Sequence, residues 1–593
     1  MIGYHLEIAD ASAHLYRVTL TLPKPAAEQR LSLPVWIPGS YLVREFARHL
    51  QSLQARQGRQ DVPLQQLDKC TWLARCTGRA ALTVSYLVYA FDASVRTAWL
   101  DSRRGFVNGT SAFLRCEGHE AQPHQLTLGA LPAGWKVATG LPAQGRGWQA
   151  PDYDALIDHP IELGDFWRGE FLACGVPHEF VVAGALPSFD SARLLADAQR
   201  ICEAQIRFWH GDAPPPFERY VFMLNAVDDA YGGLEHRNST ALICNRRDLP
   251  RQGQAGSSDG YVTLLGLISH EYFHTWNVKR LKPRGFAPYD LTQENYTELL
   301  WFFEGFTSYY DDLFLVRTGL IDEARYLKLI AKTVNQVLGT PGRQVQSVAQ
   351  ASWDAWVKYY RPDENTANAT VSYYTKGSLV ALALDLTLRE EGKGTLDDVL
   401  RWLWAQALPA GATAQDDPPR GIDEADMAAA LQAVGRRSFE RELAEWVHGT
   451  PDLPLERLLP GMGLTWQRDP ATLANRLGAR VSESLKVQAV VRGGVAEAAG
   501  LAAGDELLAL DDWRLGVPDD LLLYGALARP TRLLASRDKR LLHLSLPAAP
   551  APLGAVSLGV APSVAPKAAT RSEPPVLSTA VQRRRRQAWL GAR

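Results

Sequence analysis

The segment 262–281, VTLLGLISHEYFHTWNVKRL, constrains this chain more than any other: it is apolar around nearly the whole helical circumference, yet it carries His270, Glu271 and His274. A helix that is apolar all round is a buried helix, and burying two imidazoles and a carboxylate together is costly unless they have partners. Residues four apart project from one face, so His270 and His274 can offer both rings to a single ion, with Glu271 beside it. The spacing makes a bidentate metal clamp. Two core histidines satisfied by hydrogen bonds are the alternative reading.

A catalytic zinc normally takes three protein ligands, and Glu304 is the candidate for the third. It lies in LLWFFEGFTSYY (299–310), an aromatic helical stretch where a lone carboxylate is expensive unless paired or bound to metal. Its rivals, Glu294 and Glu298, sit in the more polar LTQENYTE, where solvation is cheap. Two histidines and a glutamate leave the fourth zinc position for water, whose pKa the metal lowers to ~7. Glu271 can then take the water's proton and deliver it to a leaving amine. These residues point to peptide-bond hydrolysis without a covalent intermediate.

Composition bounds the rest. A chain of 593 residues with 46% hydrophobic and 22% charged content has the length of three or four globular domains. Its formal charge of −2 gives no reason to expect a nucleic-acid or anionic-membrane partner. The six cysteines (Cys70, Cys76, Cys116, Cys174, Cys202, Cys244) have no Cys-x2-Cys spacing and read as isolated, reduced thiols. The N-terminus alternates like a strand and lacks the pattern of a signal peptide. No stretch approaches the ~20 continuous apolar residues of a membrane span. A cytoplasmic protein is the expectation.

Residues 1–170 read as short strands (LYRVTLTL, RLSLPVWI, AALTVSYLVYAF, QLTLGAL) between turns, a β-rich domain. Helical periodicity enters at SARLLADAQRICEAQIRFW, is followed by the strand-like ERYVFMLNAV, and dominates from about 262 to 450. Residues 171–459 therefore form the expected catalytic domain. Residues 460–548 contain VQAVVRGGVAEAAGLAAGDELLALDDWRL, which resembles the core of a PDZ domain. The tail, 549–593, is rich in Ala, Pro and Ser, includes Arg583 to Arg586, and is expected to be disordered. The fold class expected is multidomain α+β.

Taken together, PVWIPGSYLVREFARH, HEYFHTWNVKRLKP, LLWFFEGFTSYYDD and the PDZ-like segment resemble the glycyl aminopeptidase family of zinc metallopeptidases, relatives of aminopeptidase N in the thermolysin-like group. The resemblance implies a β-rich N-terminal domain, a mainly helical thermolysin-like catalytic domain binding one zinc ion, and a C-terminal PDZ domain. It also implies peptide substrates with a free N-terminus and a preference for small residues such as Gly or Ala. In aminopeptidase N relatives a glutamate upstream of the zinc helix holds the substrate's α-amine. Glu235, in Gly232-Gly233-Leu234-Glu235-His236, stands in the corresponding place, although Leu234 and His236 depart from the relatives' motif. The resemblance likewise makes Tyr374, in Tyr374-Thr375-Lys376-Gly377, the hydroxyl that stabilises the oxyanion, with Tyr373 its immediate competitor.

Three features stay open at this level. The connection from His274 to Glu304 is longer than in aminopeptidase N, contains Pro283, Gly285 and Pro288, and reads as an inserted loop, either lining the cleft or passive. WIPGSYLVREFARH is shared with the family and has no evident chemical role; a turn packing onto the catalytic domain is its structural reading. A PDZ domain receives an extended C-terminal peptide, and Leu477 to Val481 is the nearest candidate for its carboxylate loop. The rival functions are a zinc endopeptidase using the same site and a PDZ-based peptide-binding protein with weak or no activity.

Overall fold

Alternating burial organises the first third of the chain. Strand Leu15–Leu22 buries Tyr16, Val18, Leu20 and Leu22, and Leu82–Tyr89 buries Leu82, Val84, Tyr86 and Val88. The two pair antiparallel with Val18 opposite Tyr86, so their apolar faces coincide. They lie in the middle of an eight-stranded sheet, and two four-stranded sheets, whose strands are interleaved with its own along the chain, complete the β-rich N-terminal domain. The computed structural model describes residues 1–408, 421–549, 552, 554–562 and 578–591. The chain forms two compact units, Met1–Tyr296 with Trp404–Ile422, and Thr297–Leu403 with Asp423–Arg593.

The first unit continues into a five-stranded sheet. Val176–Ala183, Tyr220–Val227 and Ser239–Asn245 run parallel in its interior, and the short strand Gly232–Glu235 pairs antiparallel at one edge. Tyr220–Val227 is apolar almost throughout because both faces of the sheet are covered. Helix Asp259–Phe273 packs against Gly232–Glu235 and Ser239–Asn245, which brings the histidine helix to the sheet edge that carries Glu235. None of the described helices is long and apolar enough to cross a membrane.

The second unit is mainly helical. Helices Leu300–Arg317 and Thr375–Glu391 cross at two glycines: a Cβ on Gly305 would stand 2.6 Å from the Cα of Gly377, and one on Gly377 would stand 2.6 Å from the Trp301 carbonyl oxygen. Only glycine lets the backbones approach this closely. Residues 477–546 build a separate small core around Leu477, Val487, Leu507, Leu510, Leu533 and Leu546, with strands Ala479–Val481 and Val487–Val490 and a four-stranded sheet. Asn368 ties this module to the helical part, donating to the Val490 carbonyl and accepting from the Arg492 amide, both at 2.8 Å.

The expectation of a disordered tail is corrected where the tail is described. Val556–Val560 pairs antiparallel with Leu464–Arg468, and Ala580–Leu590 is a helix opened by a capping box between Thr579 and Gln582. Trp589 is fully buried and donates to the Tyr309 hydroxyl at 2.7 Å. The arginine run is docked: Arg586 pairs with Glu323 at 2.6 Å, and Arg585 donates to the Glu390 carbonyl. One buried tryptophan and these charge-assisted bonds supply what the average composition lacked. Residues 563–577 lie outside the described part.

Candidate metal centre

The histidine helix begins at Ser258, whose hydroxyl accepts from the Tyr261 amide at 3.1 Å, and ends with His274 as its C-cap. All five of its leucine, valine and isoleucine side chains are buried, as the all-round apolar sequence requires. His270 and His274, one turn apart, bring their Nε2 atoms to 3.1 Å. His274 Nδ1 donates to the Asn277 carbonyl at 2.7 Å, which leaves Nε2 as the ring's acceptor nitrogen. The turn that supplies this carbonyl is strained: Val278 holds φ +123°, a region a β-branched residue rarely enters.

Glu271 is buried, and Gly233 lies directly against its carboxylate, so that any side chain at 233 would occupy the same space. Two residues along the same strand, Glu235 is 4% exposed, and its Oε1 is buried without a hydrogen-bond partner among the described residues. A carboxylate in that state is poised for a cation. His236 and Arg237, which follow it, are held by Asp158: Oδ1 lies 3.2 Å from His236 Nδ1 and Oδ2 accepts from the Arg237 amide at 3.1 Å. Lys279, five residues after His274, donates to the same carboxylate at 2.7 Å. Asp158 thus links the loop after Glu235 to the loop after the histidine helix.

In the second unit, Glu304 is 2% exposed within an aromatic helix. Tyr374 is the N-cap of the helix that crosses it at the paired glycines. Burial, then the Glu304 carboxylate, pushes the Tyr374 phenol well above its ordinary pKa, so it stays protonated and able to donate. Tyr373 is fully buried, whereas Tyr374 is half-buried and stacks on Tyr359 at 5.3 Å. Of the two hydroxyl-bearing rings, Tyr374 is the accessible one.

One ligand atom each from His270, His274 and Glu304 lies within 4.8 Å of the others, and these are the residues of the one cluster of potential metal ligands among the described residues. Two imidazole nitrogens and a carboxylate oxygen form a donor set that fits zinc. Glu294 is half-buried and Glu298 exposed, and neither belongs to the cluster. Sequence reasoning missed Asp158, whose side-chain partners are 78 and 121 residues away and leave no local signal. The inserted loop packs under the WIPGSY segment: Val35 donates to the Leu291 carbonyl, Trp36 Nε1 to that of Asp290 at 2.8 Å, and Tyr41 stacks on Phe286.

Residues 3–165 match the profile of the peptidase M61 N-terminal domain, and residues 263–380 that of the M61 glycyl aminopeptidase. Among solved structures, an aminopeptidase N family protein from Idiomarina loihiensis is 37% identical, with 100% of each chain covered and a TM-score of 0.89. A variant of the M1 zinc metallopeptidase from Deinococcus radiodurans, bound to a Tyr-Ser-Ala substrate, is 15% identical. That match covers 76% of this chain and 95% of the other, with a TM-score of 0.45. No curated protein matches the chain.

Proposed function

The chain belongs to the M61 glycyl aminopeptidase family and is a metallopeptidase, and from that premise we propose that it is a zinc-dependent aminopeptidase that removes small N-terminal residues such as Gly or Ala from peptides. The observation that carries this reading is the 3.1 Å approach of two imidazole Nε2 atoms, one of them on a ring whose Nδ1 is committed to the Asn277 carbonyl. Two basic nitrogens converging on one point call for a cation between them. His270, His274 and Glu304 would hold one zinc ion. Bound there, zinc supplies Lewis acidity, polarising a carbonyl and bringing the pKa of water to ~7.

The chain's own groups would do the remaining work. Glu271 takes the proton of the attacking water and hands it to the leaving amine. The Tyr374 hydroxyl, kept protonated by its surroundings, donates to the oxygen on which negative charge develops. Glu235 receives the substrate's α-ammonium, and with Gly232 and Gly233 it fixes the first residue so that the bond after it is presented. The domain reading is part of the proposal: a β-rich domain over 1–170, a thermolysin-like catalytic domain over 171–459, and a PDZ-like module over 460–548 open to a C-terminal peptide.

The test is a panel of aminoacyl amides with matched N-acetylated peptides, run on wild type and Glu271→Gln alongside zinc analysis. Wild type should carry one zinc per chain and cut only free-amine substrates, while Glu271→Gln keeps the zinc and loses turnover by about 10²–10⁴-fold. Acetylated peptides cut as fast as free ones would refute the aminopeptidase reading in favour of an endopeptidase.

A further inference from the structure

WIPGSYLVREFARH is the motif to which the chemistry above gives no role. Its turn is built rigidly. The Ser40 amide donates to the Ile37 carbonyl at 3.0 Å, and the Arg44 guanidinium donates twice to Ser40 Oγ, at 2.6 and 3.2 Å. Trp36 and Tyr41 on either side are both buried.

At the apex, Gly39 takes φ +91°, and a Cβ built on it would stand 2.5 Å from Oε1 and 2.5 Å from Oε2 of Glu235. Equal distances to both oxygens, with Cδ at 2.7 Å, mean that Gly39 borders the two oxygens of the carboxylate evenly and favours neither. The glycine backbone occupies the approach from its own side, so a ligand must reach the carboxylate from the remaining directions.

We propose that Gly39 is a specificity-determining residue: the turn Ile37–Ser40 backs the amine anchor and sets the depth at which Glu235 meets the ammonium group of a peptide's first residue. The inference rests on the reading of Glu235 as that anchor. It also makes the N-terminal β domain part of the substrate pocket rather than a passive scaffold. Adding a methyl group at 39 would force the flexible carboxylate to retreat by at least 0.5 Å, the gap between 2.5 Å and the 3.0 Å that real Cβ atoms keep. A misplacement of ~1 Å at a positioning group can cost ~10²-fold in rate.

Alanine at a positive φ is also strained, and Gly118 supplies the control. Its φ is +82° and a Cβ there meets nothing within 4 Å, so Gly118→Ala carries the backbone penalty without the collision. Gly39→Ala should raise KM for a glycyl or alanyl amide about tenfold or more, with zinc content unchanged, while Gly118→Ala keeps the wild-type KM.

Glu235→Gln separates the two layers of the argument. If Glu235→Gln raises KM and Gly39→Ala does not, the anchor stands and this proposal falls. If Glu235→Gln leaves KM unchanged, the anchor reading falls and takes the proposal with it. Glu235→Asp, one methylene shorter, clears the collision, so adding Gly39→Ala to it should change KM no further. That doubly substituted protein also reports if Gly39→Ala alone does not fold; an additional KM increase in it would overturn the proposal.

Discussion

Asp158→Asn removes one charge and little volume, and its effect can be worked out from the contacts. The Lys279 side chain is 4% exposed, and among the described residues Asp158 is its only ion-pair partner. Breaking a buried pair by neutralising one member costs ~3–5 kcal/mol, because the other charge stays buried and uncompensated. Lys279→Met alone leaves Asp158 with His236 and the Arg237 amide and should cost less. The double variant has no stranded ammonium, so it should be more stable than the sum of the single effects by ~2 kcal/mol or more.

The assay is the midpoint of the first urea transition for the four proteins, with zinc content and KM for a free-amine amide measured on each. KM should rise in Asp158→Asn because the loop after Glu235 is released. Burial alone raises the Asp158 carboxyl, but Lys279, His236 and Arg237 hold it well below the usual carboxylate value. A carboxylate whose folded pKa is depressed adds stability that is fully present above its unfolded pKa of ~3.9 and is lost as pH falls through the folded one. The wild-type advantage over Asp158→Asn should therefore hold from about pH 8 to 5 and shrink below about 4. Additivity within ~0.5 kcal/mol, or an advantage that grows on acidification, would refute the reasoning.

Tyr374→Phe should lower kcat by ~10²–10³ with little change in KM, whereas Tyr373→Phe, at the fully buried ring, should leave kcat within about twofold; steady-state kinetics on one amide decides between them. Gly233→Ala drives a methyl into the Glu271 carboxylate and should abolish most turnover while the circular dichroism spectrum and zinc content stay those of wild type. Trp589→Ala empties a fully buried indole site and removes the bond to Tyr309, a loss of ~3–5 kcal/mol that should lower the calorimetric transition temperature without changing the residual kcat of folded protein.

How legible a residue was in the sequence tracks how local its physics is. His270 and His274 were legible because helical geometry joins positions four apart, and Glu304 because a carboxylate among Trp301, Phe302, Phe303 and Phe306 demands a partner. The strands of the N-terminal domain announced themselves by alternation, as Leu15–Leu22 does in its burial. Asp158 is one aspartate among many until the fold brings His236 and Lys279 to it. The terminal helix was hidden by averaging: the Ala, Pro and Ser content of the tail masked a Thr-x-x-Gln capping box and the single Trp589 that anchors it.

Glycine is the device that reconciles these buried charges with a packed interior. Gly233 lies on the carboxylate of Glu271 and Gly39 on that of Glu235, while Gly305, next to Glu304, meets Gly377, three residues past Tyr374. In each case the missing side chain lets backbone approach where a Cβ would force a functional group or its helix to move. A carboxylate bordered by side chains can be repositioned by any rotamer change nearby, whereas one bordered by backbone is held as firmly as the sheet or turn behind it. That rigidity matters for any group that must be placed accurately against a substrate, because errors of ~1 Å in such an arrangement can cost ~10²-fold in rate. Gly39, 196 residues before Glu235 in the sequence (235 − 39), and Gly377, 72 residues after Gly305 (377 − 305), are therefore as much a part of the local geometry as the groups they touch.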